Sequence, residues 1–162
     1  MEHSIRNHLK VIVFQLHNEE YALPVEYIGA IERIHPITRI PRAEEFVKGV
    51  INLRGVIIPI IDLRLRFGMP ETELSEENRI IIVNKNGLEV GLIVDTASDV
   101  IDLEMDKMEP KPEVVGSVAA NYIDGVIKVE DRLLILLDLE KILLSEQHVQ
   151  AMKEEGQRPY EI

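Results

Sequence analysis

Apolar residues in this chain fall in short runs separated by a few polar or glycine positions, and few of those runs keep helical spacing. The runs predict strands at 10–16 and 21–25 around His17-Asn18-Glu19-Glu20, then a third near 30–34. A polar, proline-bounded crossover ends at Gly49, and 50–53 and 56–63 form a second hairpin around Arg54-Gly55. Further on, Asn86-Gly87 is a strong hairpin signal, because both residue types accept the positive φ that a tight turn needs. Glu130-Asp131 marks a fourth turn. Ile80-Ile81-Ile82-Val83 is apolar at every position instead of alternating, which predicts a strand covered on both faces.

The same pattern occurs twice. Residues 49–63, GVINLRGVIIPIIDL, align without a gap on 125–139, GVIKVEDRLLILLDL, at an offset of 76. Upstream, 11–31 lie on 80–100 at an offset of 69. The second copy has therefore gained seven residues, those of the proline-containing stretch 107–113. Each copy reads as five strands in a unit of about 60 residues. A five-stranded sheet closed on itself leaves no exposed strand edge. The fold class predicted is all-β: two five-stranded β-barrels in tandem, the first at 10–67 and the second at 79–144. Residues 68–78 form a polar, breaker-rich linker. Leu139, Ile142, Leu143, Val149 and Met152 keep helical spacing, and Ser145 is a suitable cap, so a short C-terminal helix is predicted at 145–155. The tail at 156–162 is expected to fray.

Composition agrees with this reading. Ile and Val number 22 and 16, against seven aromatic residues in all, and β-branched side chains suit pleated surfaces. No cysteine is present, which excludes disulfides, thiolate metal sites and cysteine nucleophiles. No apolar stretch approaches the roughly 20 residues that span a bilayer, and the N-terminus has no signal-peptide core. A soluble, cytoplasmic protein without direct membrane insertion is expected. The net charge of −11 is uneven: residues 1–67 carry nine Lys/Arg and eight Asp/Glu, the remainder nine and 21. An acidic half repels phosphate backbones, so no nucleic-acid partner is expected.

Candidate chemistry is sparse. The five histidines are scattered, without metal-ligand spacing, and no metal or cofactor is expected. Asp99, Asp102, Glu104 and Asp106 are spaced somewhat like a calcium loop but lack its glycine. Asp62 and Asp138 occupy equivalent places in the two copies. An acid/base pair is one reading; an Asp bonded to its own turn is the one favoured. Arg54 stands out. A guanidinium at a hairpin tip presents a donor fork suited to a partner's carboxylate or carbonyl, or merely solvates the turn.

The string at 49–64, GVINLRGVIIPIIDLR, preceded by Ile37-Thr38-Arg39-Ile40-Pro41 and Phe46-Val47-Lys48, closely resembles the CheW family of chemotaxis coupling proteins. The resemblance runs from about residue 10 to 145 and includes 94–100 and 122–126. It implies a single CheW-like domain over 1–162, built as two SH3-like barrels, and an adaptor that is not an enzyme. The implied partners are the cytoplasmic tips of methyl-accepting chemoreceptors and the regulatory domain of the histidine kinase CheA. The adaptor would be monomeric when free and recruited to receptor arrays at the inner face of the membrane.

By motif position the resemblance places Arg54, Ile28, Gly49, Gly91, Ala97 and Val100 at the receptor-binding site. Ile31, Glu32, Arg33, Ile37 and Thr38 fall where the first barrel would meet the kinase. Family members often carry Glu in place of Ala30 and Pro in place of Glu44. The length and the initial Met suggest a stand-alone adaptor. Two rival classes remain: a small hydrolase or isomerase using Asp62 and Asp138, and a barrel module binding peptides or small ligands outside chemotaxis. A proline-rich peptide needs an aromatic-lined groove, for which seven aromatics in two barrels offer little.

Overall fold

The computed structural model describes residues 7–110, 114–115, 118–143 and 153–154. The hairpin β1 (His8–Leu16) and β2 (Glu19–Pro24) leads through a 3-10 turn at Val25–Tyr27 to β3 (Ile28–Arg33). β4 (Val47–Leu53) and β5 (Val56–Asp62) follow, then the single-turn helix α1 (Leu63–Arg66). The second copy begins with β6 (Arg79–Lys85), β7 (Leu88–Val94) and β8 (Thr96–Glu104). After a 3-10 turn at Met105–Lys107 come β9 (Glu109–Pro110) and a short ladder of β10 (Val114–Val115) with β11 (Val118–Ala119). β12 (Ile123–Val129), β13 (Arg132–Leu137) and α2 (Leu139–Ile142) complete it. The helix expected at 145–155 lies outside the described residues, apart from Lys153 and Glu154, which are helical.

The repeat is visible in the backbone. The first residue of each hairpin turn has positive φ: 56° at His17 and 55° at its equivalent Asn86, 53° at Arg54 and 58° at Glu130. The first loop is shorter than expected, since the strand resumes at Glu19. Asp62 and Asp138 cap α1 and α2. Asp62 Oδ1 accepts from the Arg64 amide at 3.0 Å, and Asp138 Oδ1 accepts from those of Glu140 and Lys141 at 3.0 and 3.4 Å. Each carboxylate serves its own turn.

The two SH3-like barrels are present, but they do not divide at the linker. One sheet runs β3-β6-β7-β5-β4 and the other β8-β1-β2-β13-β12-β9. Each barrel takes its first hairpin from the opposite copy, so the expected barrels at 10–67 and 79–144 are replaced by interlocked ones. The exchange is reciprocal. β1 pairs antiparallel with β8 as β3 pairs with β6, and β2 pairs parallel with β13 as β7 pairs with β5. The cause is the path after each first hairpin. The 3-10 turn after β2 carries the chain out of one sheet into the other, and Asp95, between β7 and β8, does so in the second copy.

This topology makes three apolar layers. Ile80 and Ile82 face Ile51, Ile58, Ile60 and Ile93 inside the first barrel. Val11, Val13, Ala22, Leu134 and Leu136 fill the second. Between the barrels lies the largest layer, with Ile81, Val83 and Leu92 from one sheet meeting Phe14, Leu23, Ile135 and Leu137 from the other. Continuous apolar runs thus serve two cores at once, as the Ile80–Val83 pattern implies. The identical Gly-Val-Ile segments have a common cause. At Gly49 a Cβ would lie 2.0 Å from the Thr38 carbonyl oxygen, and at Gly125 2.9 Å from that of Glu109. Each glycine stands at a register shift and lets the crossover segment pair with its hairpin.

The linker is fastened at both ends. Met69 is buried in the inter-barrel layer, Lys48 pairs with Glu71 at 2.7 Å, and Arg64 Nη2 donates to the Thr72 carbonyl at 3.2 Å. The Asn78 carboxamide accepts from the Ser75 amide and donates to the Asp95 carbonyl.

Candidate partner-binding surfaces

β3 carries most of the candidate residues. Its burial alternates, so Ile31 and Arg33 face solvent while Ile28, Ala30 and Glu32 are half-buried. Ile31 is 42% exposed. Its repeat equivalent is Val100, on β8 of the other barrel, which is 58% exposed. Few large apolar side chains stand out this far among the described residues. Ile28 and Ala97 are likewise equivalent. Both are half-buried and pack against the inter-barrel layer, so they flank the seam.

After β3 the chain turns back. Ile34 and Ile37 pack against the first barrel's core, and Thr38 exchanges two backbone hydrogen bonds with Val50, at 2.9 and 2.8 Å. Glu32, Arg33, Ile37 and Thr38 therefore occupy one end of the first barrel. Arg54, expected at the receptor-binding site, lies there too. Its guanidinium is 3.7 Å from the Glu32 carboxylate, and its side chain is 76% exposed. Gly55 behind it donates its amide to Asn52 Oδ1 at 2.9 Å, which fixes the tip. The hairpin projects toward the end of β3, so Arg54 joins Glu32 and not Ile28.

Gly49 and Gly91 offer no surface. Both are buried. Gly91 faces Ile60 across the β5–β7 pairing, where a Cβ would come within 2.6 Å of Ile60 Cδ1 and 2.7 Å of Ile80 Cγ2. Their contribution is packing: Gly49 seats the Thr38 segment and Gly91 closes the first barrel.

Two charged side chains carry more of the architecture than their sequence context reveals. Arg64 is 2% exposed and binds Asp62 through Nε and Nη2, both at 3.1 Å, while Nη1 reaches Asp95 at 3.4 Å. Burial opposes its charge. Hydrogen bonding and attraction from Asp62, with Asp95 and Glu71 beyond, outweigh that and hold its proton above the usual arginine range. Arg132 clamps Glu20 with Nε and Nη2 at 3.0 and 2.7 Å and touches Asp99 at 3.1 Å, beside Val100. Its hydrogen bonds hold the Glu20 carboxyl below its usual value of 4.5, against a smaller opposing effect of burial.

Most aromatic residues among those described are committed elsewhere. Phe14, Tyr21, Phe67 and Tyr122 form a chain through the inter-barrel layer, with centroids 6.0, 6.1 and 5.1 Å apart. Arg66 lies over Phe46 and Tyr122 while its Nε donates to the Ile142 carbonyl at 2.9 Å. A groove for proline-rich peptide has no aromatic lining left among these. Of the four carboxylates spaced like a calcium loop, Asp99 meets Arg132 and Glu104 meets Lys107. No group of three or more His, Asp or Glu side chains that could hold a metal occurs among the described residues. No helix there is long and apolar enough to cross a membrane.

Comparison with known proteins adds three findings. Residues 10–147 match the model of the CheW-like domain family. The chain is 40% identical over 156 residues to the chemotaxis protein CheW of Bacillus subtilis, covering 96% of this chain and 100% of that one. It is similar to the crystal structure of the scaffolding protein TtCheW from Thermoanaerobacter tengcongensis, with 37% identity and a TM-score of 0.78 over 85% of this chain and 94% of the other.

Proposed function

The chain belongs to the CheW-like domain family, a family of non-catalytic chemotaxis scaffolds, and from that premise we propose that it links methyl-accepting chemoreceptors to the histidine kinase CheA. One observation carries the reading: repeat-equivalent Ile31 and Val100 expose aliphatic side chains, 42% and 58%, on different barrels. An adaptor needs two places to bind, and desolvating such residues is what a protein contact gains from. The receptor tip is a helical hairpin. An apolar helix stripe fits the seam flanked by Ile28 and Ala97, with Val100 beside it. The kinase's regulatory domain docks at the end of the first barrel, on Ile31, Glu32, Arg33, Ile37 and Thr38. Arg54, paired with Glu32, lies at that end, so the receptor role implied for it requires the two partners to meet close to this tip. The protein works as a cytoplasmic monomer recruited to the receptor array.

Pull-down with a receptor cytoplasmic fragment and with the isolated regulatory domain of CheA tests the proposal. Each is expected to be retained, and both together. Failure of the folded protein to retain either one would remove the adaptor reading.

A further inference from the structure

The exchange of hairpins gives each repeat a partner within its own chain. β1 and β2 have no barrel without β8, β12 and β13, and β6 and β7 have none without β3, β4 and β5. A single repeat keeps two hairpins and a third strand, but in place of the neighbouring sheet it presents open strand edges. Its apolar faces go uncovered as well, since the inter-barrel layer is lined from both repeats. Isolated hairpins of this kind are marginal in water.

Specific ties reinforce the pairing. Asp95 Oδ2 accepts from the His17 amide at 2.7 Å, and its own amide donates to the Gln15 carbonyl at 3.0 Å. Arg64 reaches Asp95, Arg66 reaches the Ile142 carbonyl, and Arg132 clamps Glu20. All of these join the first repeat to the second. The linker's polar fastenings do the opposite. Lys48–Glu71 and Arg64–Thr72 lie within the first repeat, whereas Ser75–Asn78 and Asn78–Asp95 lie within the second. None of these fastenings crosses the peptide bond between Glu73 and Leu74, and both residues are exposed.

We infer that the two repeats are complementary binding partners and that the tether between them is dispensable. Cut at Glu73–Leu74, the halves 1–73 and 74–162 hold together as a non-covalent heterodimer with the fold of the intact chain. The surface on each half is a strand edge plus an apolar face, and its ligand is the other repeat.

The test uses the full chain with a specific protease site inserted between Glu73 and Leu74. Before cleavage its melting transition serves as the reference. After cleavage, one species of unchanged size is expected on gel filtration, with an unchanged far-ultraviolet circular dichroism spectrum. Its melting temperature should now fall on dilution, because unfolding has become dissociation. The uncut chain should show no such concentration dependence. A second arm co-expresses 1–73 and 74–162 as separate polypeptides with a tag on one, which should retain the other. Separation into two folded species, unfolding on cleavage, or a melting temperature indifferent to dilution would each overturn the inference.

Discussion

The Arg54 guanidinium stands 3.7 Å from the Glu32 carboxylate, joining the tip of the second hairpin to the end of β3. Family resemblance assigns these two residues to different partners, yet they share one end of one barrel. The pair itself adds little to stability. Its guanidinium is largely solvated, and exposed ion pairs contribute about 0.2–1 kcal/mol. What it does is bring a donor fork and a carboxylate to the same end of the barrel.

Arg54→Glu should therefore leave the fold intact, changing stability by no more than about 0.5 kcal/mol, while weakening receptor coupling. Kinase activation in a reconstituted receptor array is the readout, and normal activation would contradict the assignment. Because Glu32 is adjacent, Arg54→Ala and Glu32→Ala should also be non-additive in that assay, as expected of residues in contact.

Packing at equivalent core positions makes a second prediction. Ile58 is 1% exposed in the core of the first barrel, and Leu134 is fully buried in that of the second. Truncation of either to Ala should cost about 2–5 kcal/mol. Urea denaturation of the two variants checks this, and near-neutrality of one would mean that its barrel is not packed as described.

The buried glycines should separate packing from recognition. Gly91→Ala presses a methyl group on the side chains of Ile60 and Ile80, which can shift, at a cost of about 1–3 kcal/mol. Gly49→Ala meets backbone, the Thr38 carbonyl, and also sits at φ 141°. It should release the 34–38 segment from Val50. Hydrogen exchange of the Thr38 amide should rise in Gly49→Ala and stay slow in Gly91→Ala, while binding of the kinase domain falls only in the former.

Much of this architecture was legible in the sequence, and the illegible part has a physical cause. The turns at Asn86-Gly87 and Arg54-Gly55 announce themselves through residue type. The continuous run Ile80–Val83 announces burial on both faces. Which copy supplies the covering strand is not written locally, because Val11 and Ile80 are equivalent and either could line either barrel. The exchange is decided by the path of the chain through 25–27 and at Asp95. The burial of Arg64 is illegible for a related reason. Its repeat counterpart is Glu140, so comparing the copies gives no signal, and in Leu63-Arg64-Leu65-Arg66 the leucines, not the arginines, look buried. Val100 could be found from the repeat, whereas its degree of exposure could not.

Glu20 gives the pH dependence. The Arg132 clamp holds its folded-state pKa below the usual 4.5, so the pair's contribution is fully present above that value. It is lost as pH falls through the folded pKa. Arg132→Gln should thus lower stability at neutral pH and flatten the further loss below pH 4.5, where wild type and variant converge. Denaturant titrations across this range measure the difference. Parallel curves would show that Glu20 is not the group that senses acid.

The two ends of β3 provide the sharpest test of how partners are divided. Ile28 opens the strand at the seam, half-buried against the inter-barrel layer, and Arg33 closes it in solvent at the barrel's end. Ile28→Asp would place an unpaired charge in an apolar contact and should abolish receptor binding. Kinase-domain binding should persist, since the site proposed for that partner runs from Ile31 to Thr38. Arg33→Glu reverses charge at the end proposed for the kinase and should show the opposite pattern. Titrating each folded variant against the isolated receptor fragment and the isolated kinase domain separates the effects. The proximity of Arg54 to Glu32 makes a graded result informative as well. If Ile28→Asp lost both affinities while retaining its circular dichroism spectrum and cooperative melt, the seam and the barrel end would be one continuous site, and the two partners would have to compete for it.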